Sequence, residues 1–293
     1  MLSGRRFAKP ATAITASAFA LWGCGLIGHS GEGATSSRPQ RIVPGRSHLA
    51  LTVGAPRSTE GRLLAQVYAQ ALRAAGYRVG VVAGLGGADA WPASIHGSLA
   101  DARSRLARRG LVALTPASAR VGPGVVMSRA RAKALGIVTL SKLLGSGRRV
   151  RVAAPGGCAH DPACLPALRR AYGLRRVQEV RPDLVQDALR SGSTQAAIVP
   201  SIDPHLARDG ERLLEDDRHA LPDHRLTLVV RVSVARAAGP GLATAVAAAG
   251  SRLSSAVIAE LQARVSFDEL PVARVARQYL RSAGLVRGHG SRR

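Results

Sequence analysis

"LTVGAPRSTEGRLLAQVYAQALRAAGYRV" (residues 51–79) decides how the rest of the chain is read. The apolar run "LALTV" at 49–53 has the length of a buried strand. It gives way to the turn-forming "GAPRST". Leu64, Val67, Tyr68, Ala71, Leu72 and Ala75 then recur at helical spacing, and Gly76 stands where such a helix stops. "RVGVVA" (78–83) supplies the next strand. The start of the helix carries Arg57, Ser58, Thr59 and Glu60, where free N–H groups and the helix dipole favour an anionic group of a ligand. An equally good reading is that Ser58 or Thr59 merely caps the helix.

The same alternation continues outward. "RVRVAA" (149–154), a helix around 165–172, "LVQDALRSG" (184–192) and "QAAIVP" (195–200) repeat the strand–helix–strand theme. The C-terminal part is helical, first over 241–265 and then over 271–284, with Pro271 in a first turn and Gly284 as a stop. These signals predict an α/β fold with a mainly parallel sheet.

Upstream, Arg5, Arg6 and Lys9 precede "ATAITASAFALW" (11–22), an apolar run too short to span a bilayer. That pattern predicts an export signal over 1–23. The run ends in "LWGC", which resembles a bacterial lipobox with Cys24 as the lipidated residue, although Trp22 replaces the usual small residue. Residues 24–47 are rich in Gly, Ser, Pro and Arg and read as a flexible tether. The expected location is the extracytoplasmic face of the cell membrane, held there by lipid.

The formal net charge is +24, and all of the 42 basic residues except Lys9, Lys133 and Lys142 are arginine. They are scattered and not interleaved with aromatics, so the charge argues for no nucleic-acid partner.

In "GCAHDPAC" (157–164), Cys158, His160 and Cys164 could ligate a metal, the cysteines could cycle as a redox pair, or they could form a disulfide. Export favours oxidation, and with Cys24 assigned to the lipobox an even pair remains. The spacing also lacks the fourth ligand of a zinc site and the C-x-x-C of a redox motif. A Cys158–Cys164 disulfide with no metal is the expectation. No nucleophile elbow, zinc-protease helix or P-loop occurs, and "GLGGADA" (84–90) places Asp89 where a dinucleotide fingerprint has its third glycine. No enzyme and no cofactor are expected.

The opening segment with its Thr-Glu loop, "GLVALTPASA" (110–119), "AKALGIVTLSKL" (132–143), "CLPALRRAYGL" (164–174), "LLEDDR" (213–218) and "VARQYLRSAGL" (274–285) form an ordered series. Taken in order, these stretches resemble one family, the solute-binding proteins of ABC importers for glycine betaine, choline and related osmoprotectants. The "CLPALRRAYGL" piece follows a cysteine pair in many members, which independently supports the disulfide. The resemblance implies a two-lobed periplasmic-binding-protein-like fold, with lobe I over 48–117 and 226–286, lobe II over 118–225, and a disordered tail over 287–293. It further implies a hinged cleft for a small solute, docking on permease subunits, and a monomer.

Such proteins hold a quaternary ammonium in a cage of aromatic rings. This chain is only 3% aromatic, and Tyr68, Tyr172 and Tyr279 fall on helix faces. Only Trp91 is expected in a cleft loop. The other candidate ligand contacts are His96 in the same loop, Thr115 at the first crossing, and Ser201 and Asp203 after a lobe II strand. The expected ligand carries an anionic or hydrogen-bonding group read by Arg57–Glu60. The alternative is a lipoprotein of this build that no longer binds osmoprotectants and acts in sensing or scaffolding.

Overall fold

In the computed structural model the described residues are 42, 49–145, 150–208 and 210–286. The expected signal peptide (1–23), Cys24, the tether over 24–47 apart from Ile42, and the tail over 287–293 lie outside them.

β1 (Ala50–Ala55) leads into α1 (Thr59–Ala74) and β2 (Arg78–Ala83), as the opening stretch predicts. The Ser58 hydroxyl caps α1 by accepting from the Gly61 N–H at 3.0 Å. β3 (Ala90–Ile95), α2 (Leu99–Ala107), β4 (Leu111–Ala113) and β5 (Arg120–Val121) follow. Next come β6 (Pro123–Ser128), α3 (Arg129–Ala134), α4 (Leu140–Leu144), β7 (Val152–Pro155) and α5 (Leu165–Tyr172). β8 (Val177–Val180), α6 (Val185–Arg190), β9 (Ala196–Pro200) and β10 (Glu211–Leu213) complete this middle part. β11 (His224–Arg231) then precedes α7 (Val232–Ala238), α8 (Pro240–Gly250), α9 (Ser255–Ser266) and α10 (Val272–Ser282).

The strands form two sheets, ordered β2-β1-β3-β11-β4 with β5 also on β11, and β10-β6-β9-β7-β8. The expectation of a mainly parallel sheet is corrected here to a mixed one. β1 runs parallel to β2 and β3, and β7 to β8 and β9. β11, however, is antiparallel to β3, β4 and β5, and β6 is antiparallel to β9 and β10. A parallel neighbour needs a crossover within its own sheet. β6 and β11 each arrive from the other sheet, so no such crossover dictates their direction.

Each sheet has its own core. Leu63, Leu64, Val67, Tyr68 and Leu72 of α1 are buried in one cluster with Val53, Leu228 and Val230 of the first sheet and Leu242, Ile258 and Val275 of the C-terminal helices. Val125, Met127, Val152 and Ile198 of the second sheet share another with Leu140, Leu165 and Leu168. The apolar run at 241–265 is two helices, not one. α8 ends at Gly250, where a Cβ would lie 3.2 Å from the Ala117 Cα, and Ser254 caps α9 by accepting from the Val257 N–H at 3.3 Å.

The chain crosses between the sheets twice, side by side. Only Gly122 separates β5 from β6, and the return runs from β10 to β11. A Cβ on Gly122 would lie 2.2 Å from the Pro222 carbonyl oxygen. The Arg120 carbonyl accepts from the Ser201 hydroxyl at 3.2 Å and the Ser255 hydroxyl at 2.6 Å. Nearby, the Gln262 amide donates to the Ile202 carbonyl at 2.7 Å, and Arg208 pairs with Glu260 at 2.6 Å and Asp268 at 3.2 Å.

The contact at Gly122 predicts that Gly122→Ala lowers stability by about 1–3 kcal/mol, because a methyl meets fixed backbone rather than a side chain that can turn away. Gly86→Ala, with nothing within 4 Å of its added Cβ, serves as the control. Thermal denaturation followed by circular dichroism checks both, and an unchanged midpoint for Gly122→Ala would refute the tight crossing.

Candidate functional site

Between the two sheets lies a cavity of about 450 Å³, within the range of small-molecule sites. From the first-sheet side it is lined by Glu60 at the start of α1, Ser94 on β3, Val121 on β5 and His224 at the start of β11. From the second-sheet side it is lined by Pro155, Gly156 and Gly157 after β7, by Asp161, by both cysteines, and by the end of β9. The second group sits beyond the carboxyl ends of parallel strands, where α/β proteins bind ligands.

Glu60 sits in the first turn of α1, where the helix dipole favours its charge. Burial acts against that and raises its carboxyl above the ordinary range. His224 packs against His96 with ring centroids 3.9 Å apart at a tilt of 52°. Burial first, and then the neighbouring His96, hold the His224 imidazole below its ordinary value, with Asp223 opposing. Asp161 is exposed at the mouth, and one of its oxygens accepts from the Ala163 N–H at 2.9 Å. The lining therefore offers two carboxyl groups and an imidazole that stays neutral near pH 7. Among the described residues no arginine or lysine lines it, in a chain of formal net charge +24.

The residues singled out from the sequence separate in space. Glu60 and the two cysteines line the cavity, and His96 supports it through His224. Arg57 is exposed and does not line it. The Ser58 hydroxyl is engaged as the cap of α1, and the Thr59 hydroxyl accepts from Arg62 at 3.4 Å. Thr115 is exposed between β4 and β5, away from the lining. Ser201 belongs to the crossing, through its bond to the Arg120 carbonyl. Asp203 caps the short turn Pro204–Ala207 and contacts the His205 ring at 2.8 Å.

Trp91 requires a correction, because it lies on β3 and not in a loop. Its register partner is Val229, and strand alternation puts it on the face of Ala93 and Ile95, opposite to Ser94 of the cavity. Pro92 is what makes this strand read as a loop. It is tolerated because β3 meets β1 only at Ala90, leaving its far edge open beyond that point. Among the described residues no Trp, Tyr or Phe lines the cavity.

His224 and Asp161 were not among the candidates. The position of Asp161 after a strand of the middle part was the available signal; His224 carried none, since only the return crossing brings it to Glu60. Among the described residues no cluster of His, Cys, Asp and Glu is placed to hold a metal ion.

Cys158 and Cys164 form a disulfide with Cα atoms 5.4 Å apart. Both are buried, and Cys164 immediately precedes α5. The bridge staples the loop and also forms part of the cavity wall.

Two mixed sheets, each with its own core, thus face each other across this cavity. A family model described as the substrate binding domain of ABC-type glycine betaine transport systems matches residues 50–282, and the chain belongs to this family. The family is one of substrate-binding domains. No curated protein matches the sequence significantly. Among solved structures, apo YehZ from Escherichia coli is similar at 20% identity and a TM-score of 0.71, over 81% of this chain and 99% of that one. A glycine betaine/carnitine/choline ABC transporter structure is similar at 15% identity and a TM-score of 0.71, over 80% and 99% of the two chains. Lactococcal OpuAC, closed on glycine betaine, is similar at 10% identity and a TM-score of 0.51, over 80% and 96%.

Opening so short a loop is expected to cost about 2 kcal/mol. A Cys158→Ser/Cys164→Ser variant should lose about that much in chemical denaturation, and unreduced parent protein should show no alkylation at either position by mass spectrometry. Two alkylated thiols before reduction would overturn the assignment.

Proposed function

We propose that this chain is the extracytoplasmic solute-binding component of an ABC importer, tethered by lipid on Cys24, and that it delivers a small cationic solute to the permease. In this reading lobe I spans 48–117 and 226–286 and lobe II spans 118–225. The lobes close by hinge motion at the paired crossings near Gly122 and Pro222.

The observation that carries the reading is the cavity itself. Glu60 and Asp161 face a solute from opposite lobes, so a positive charge between them favours closure. With no aromatic cage, recognition rests on ionic hydrogen bonds, which a primary or secondary ammonium can donate and a quaternary one cannot. Glycine betaine and choline are therefore expected to bind in the millimolar range or not at all. The cation-facing lining replaces the expectation of an anionic group at Arg57–Glu60, since Arg57 stands outside the cavity.

The sign of the pH dependence follows from Glu60. Its carboxyl is raised by burial, so it takes up a proton at a higher pH than an ordinary glutamate. Cation binding needs the ionised form, so affinity should fall on acidification, beginning above the usual carboxylate range. The same shift makes ionised Glu60 a cost to the empty fold at neutral pH. Glu60→Gln is thus expected to raise the melting temperature of the empty protein while weakening a bound amine by at least about tenfold, or ~1.4 kcal/mol. Isothermal titration with putrescine, ethanolamine, choline and glycine betaine from pH 5 to 8 reads all of this. Tight choline binding indifferent to Glu60→Gln would sink the proposal.

A further inference from the structure

On the opposite face of β3 from the cleft lies a second hollow of about 380 Å³, between α2 and the first sheet. Its floor is apolar, made by Ala93 and Ile95 of β3, Val229 of β11 and Leu106 of α2. Its rim is cationic, made by Arg105 on α2 and by Arg108 and Arg109 just after it, with His96 alongside. Among the described residues no carboxylate lines it. α2 has one acidic residue, Asp101, and it accepts from the Ser98 hydroxyl at 2.6 Å. Arg105 donates to the His96 carbonyl at 3.3 Å. Among the described residues, Arg108 and Arg109 make no ion pair.

The helix dipole accounts for a basic residue at the end of α2. It does not account for three guanidiniums around one apolar concavity. That concavity exists because this face of the sheet is covered here by the nine residues of α2, held by Ala102 against Ile95 and Ala113, whereas α1 and the C-terminal helices pack on the other face.

We infer that this hollow is a second binding site, for a small organic anion with an apolar body: a carboxylate carrying a short aliphatic or aromatic group. Planar guanidiniums grip a carboxylate by paired hydrogen bonds, and the strand residues bury the hydrocarbon part. The site is opposite in sign to the cleft and shares Ser94 with it. It does not depend on what the cleft binds.

The test is isothermal titration of the full chain with hexanoate at constant ionic strength, with acetate as the probe lacking an apolar body. Hexanoate is expected to saturate at one site and acetate to bind about tenfold more weakly or worse. Arg105→Gln/Arg108→Gln/Arg109→Gln should weaken hexanoate by about tenfold or more. A charge-matched control on the other lobe, Arg169→Gln/Arg175→Gln/Arg176→Gln, should leave it unchanged. All substituted positions are exposed, so both variants are expected to fold as the parent does, which circular dichroism verifies. Equal losses in the two triple variants would reduce the effect to overall charge. That outcome, an unweakened α2 variant, acetate binding as tightly as hexanoate, or no saturable binding by the parent would each overturn the inference.

Discussion

The pressing of Gly122 against the carbonyl of Pro222 is the contact on which the two-lobed arrangement turns. Both passages of the chain between the sheets run through this point, and a side chain at 122 would force them apart. The Arg120 carbonyl beside it is held from two directions, by Ser201 after a second-sheet strand and by Ser255 at the start of α9. Arg120 lies on β5 in register with Arg225 of β11, and these hydroxyls satisfy its carbonyl. The two sheets are thereby joined around the crossings, with Gln262 on Ile202 and Arg208 on Glu260 and Asp268 beside them, and a cavity remains between the sheets.

That cleft runs against the character of the molecule. The chain is strongly basic, yet among the described residues the cavity walls contribute Glu60 and Asp161 and no arginine or lysine. Burying a carboxyl without a partner is unfavourable, as the raised proton affinity of Glu60 records. Glu60 lines the cavity, and a perturbed group in a cleft marks a candidate functional site. The disulfide belongs to the same design, because it fixes the loop that carries Asp161 and presents its own surface to the cavity.

Much of the fold was legible in the chain. The helical spacing from Leu64 to Ala75, the glycine stop at Gly76 and the strand at 78–83 correspond to α1 and β2 as observed, and 165–172 and 195–200 correspond closely to α5 and β9. Failures cluster where local signals conflict with a distant partner. Pro92 disguised a strand that exists because β11 pairs with it, and an apolar run of alanines and valines hid the break between α8 and α9 that close packing on Ala117 imposes.

Of the residues that line the cavity, the sequence by itself had singled out Glu60 and the cysteine pair, since helix starts and paired cysteines are defined within a few residues. It also indicated that rings are scarce, a matter of composition alone. Only the tertiary structure brought His224 beside His96, set Asp161 across from Glu60, and turned Trp91 to the far face of β3. Strand order, strand direction and the second crossing produce those placements. Each depends on contacts between residues far apart in the chain, which local periodicity and capping preferences do not encode.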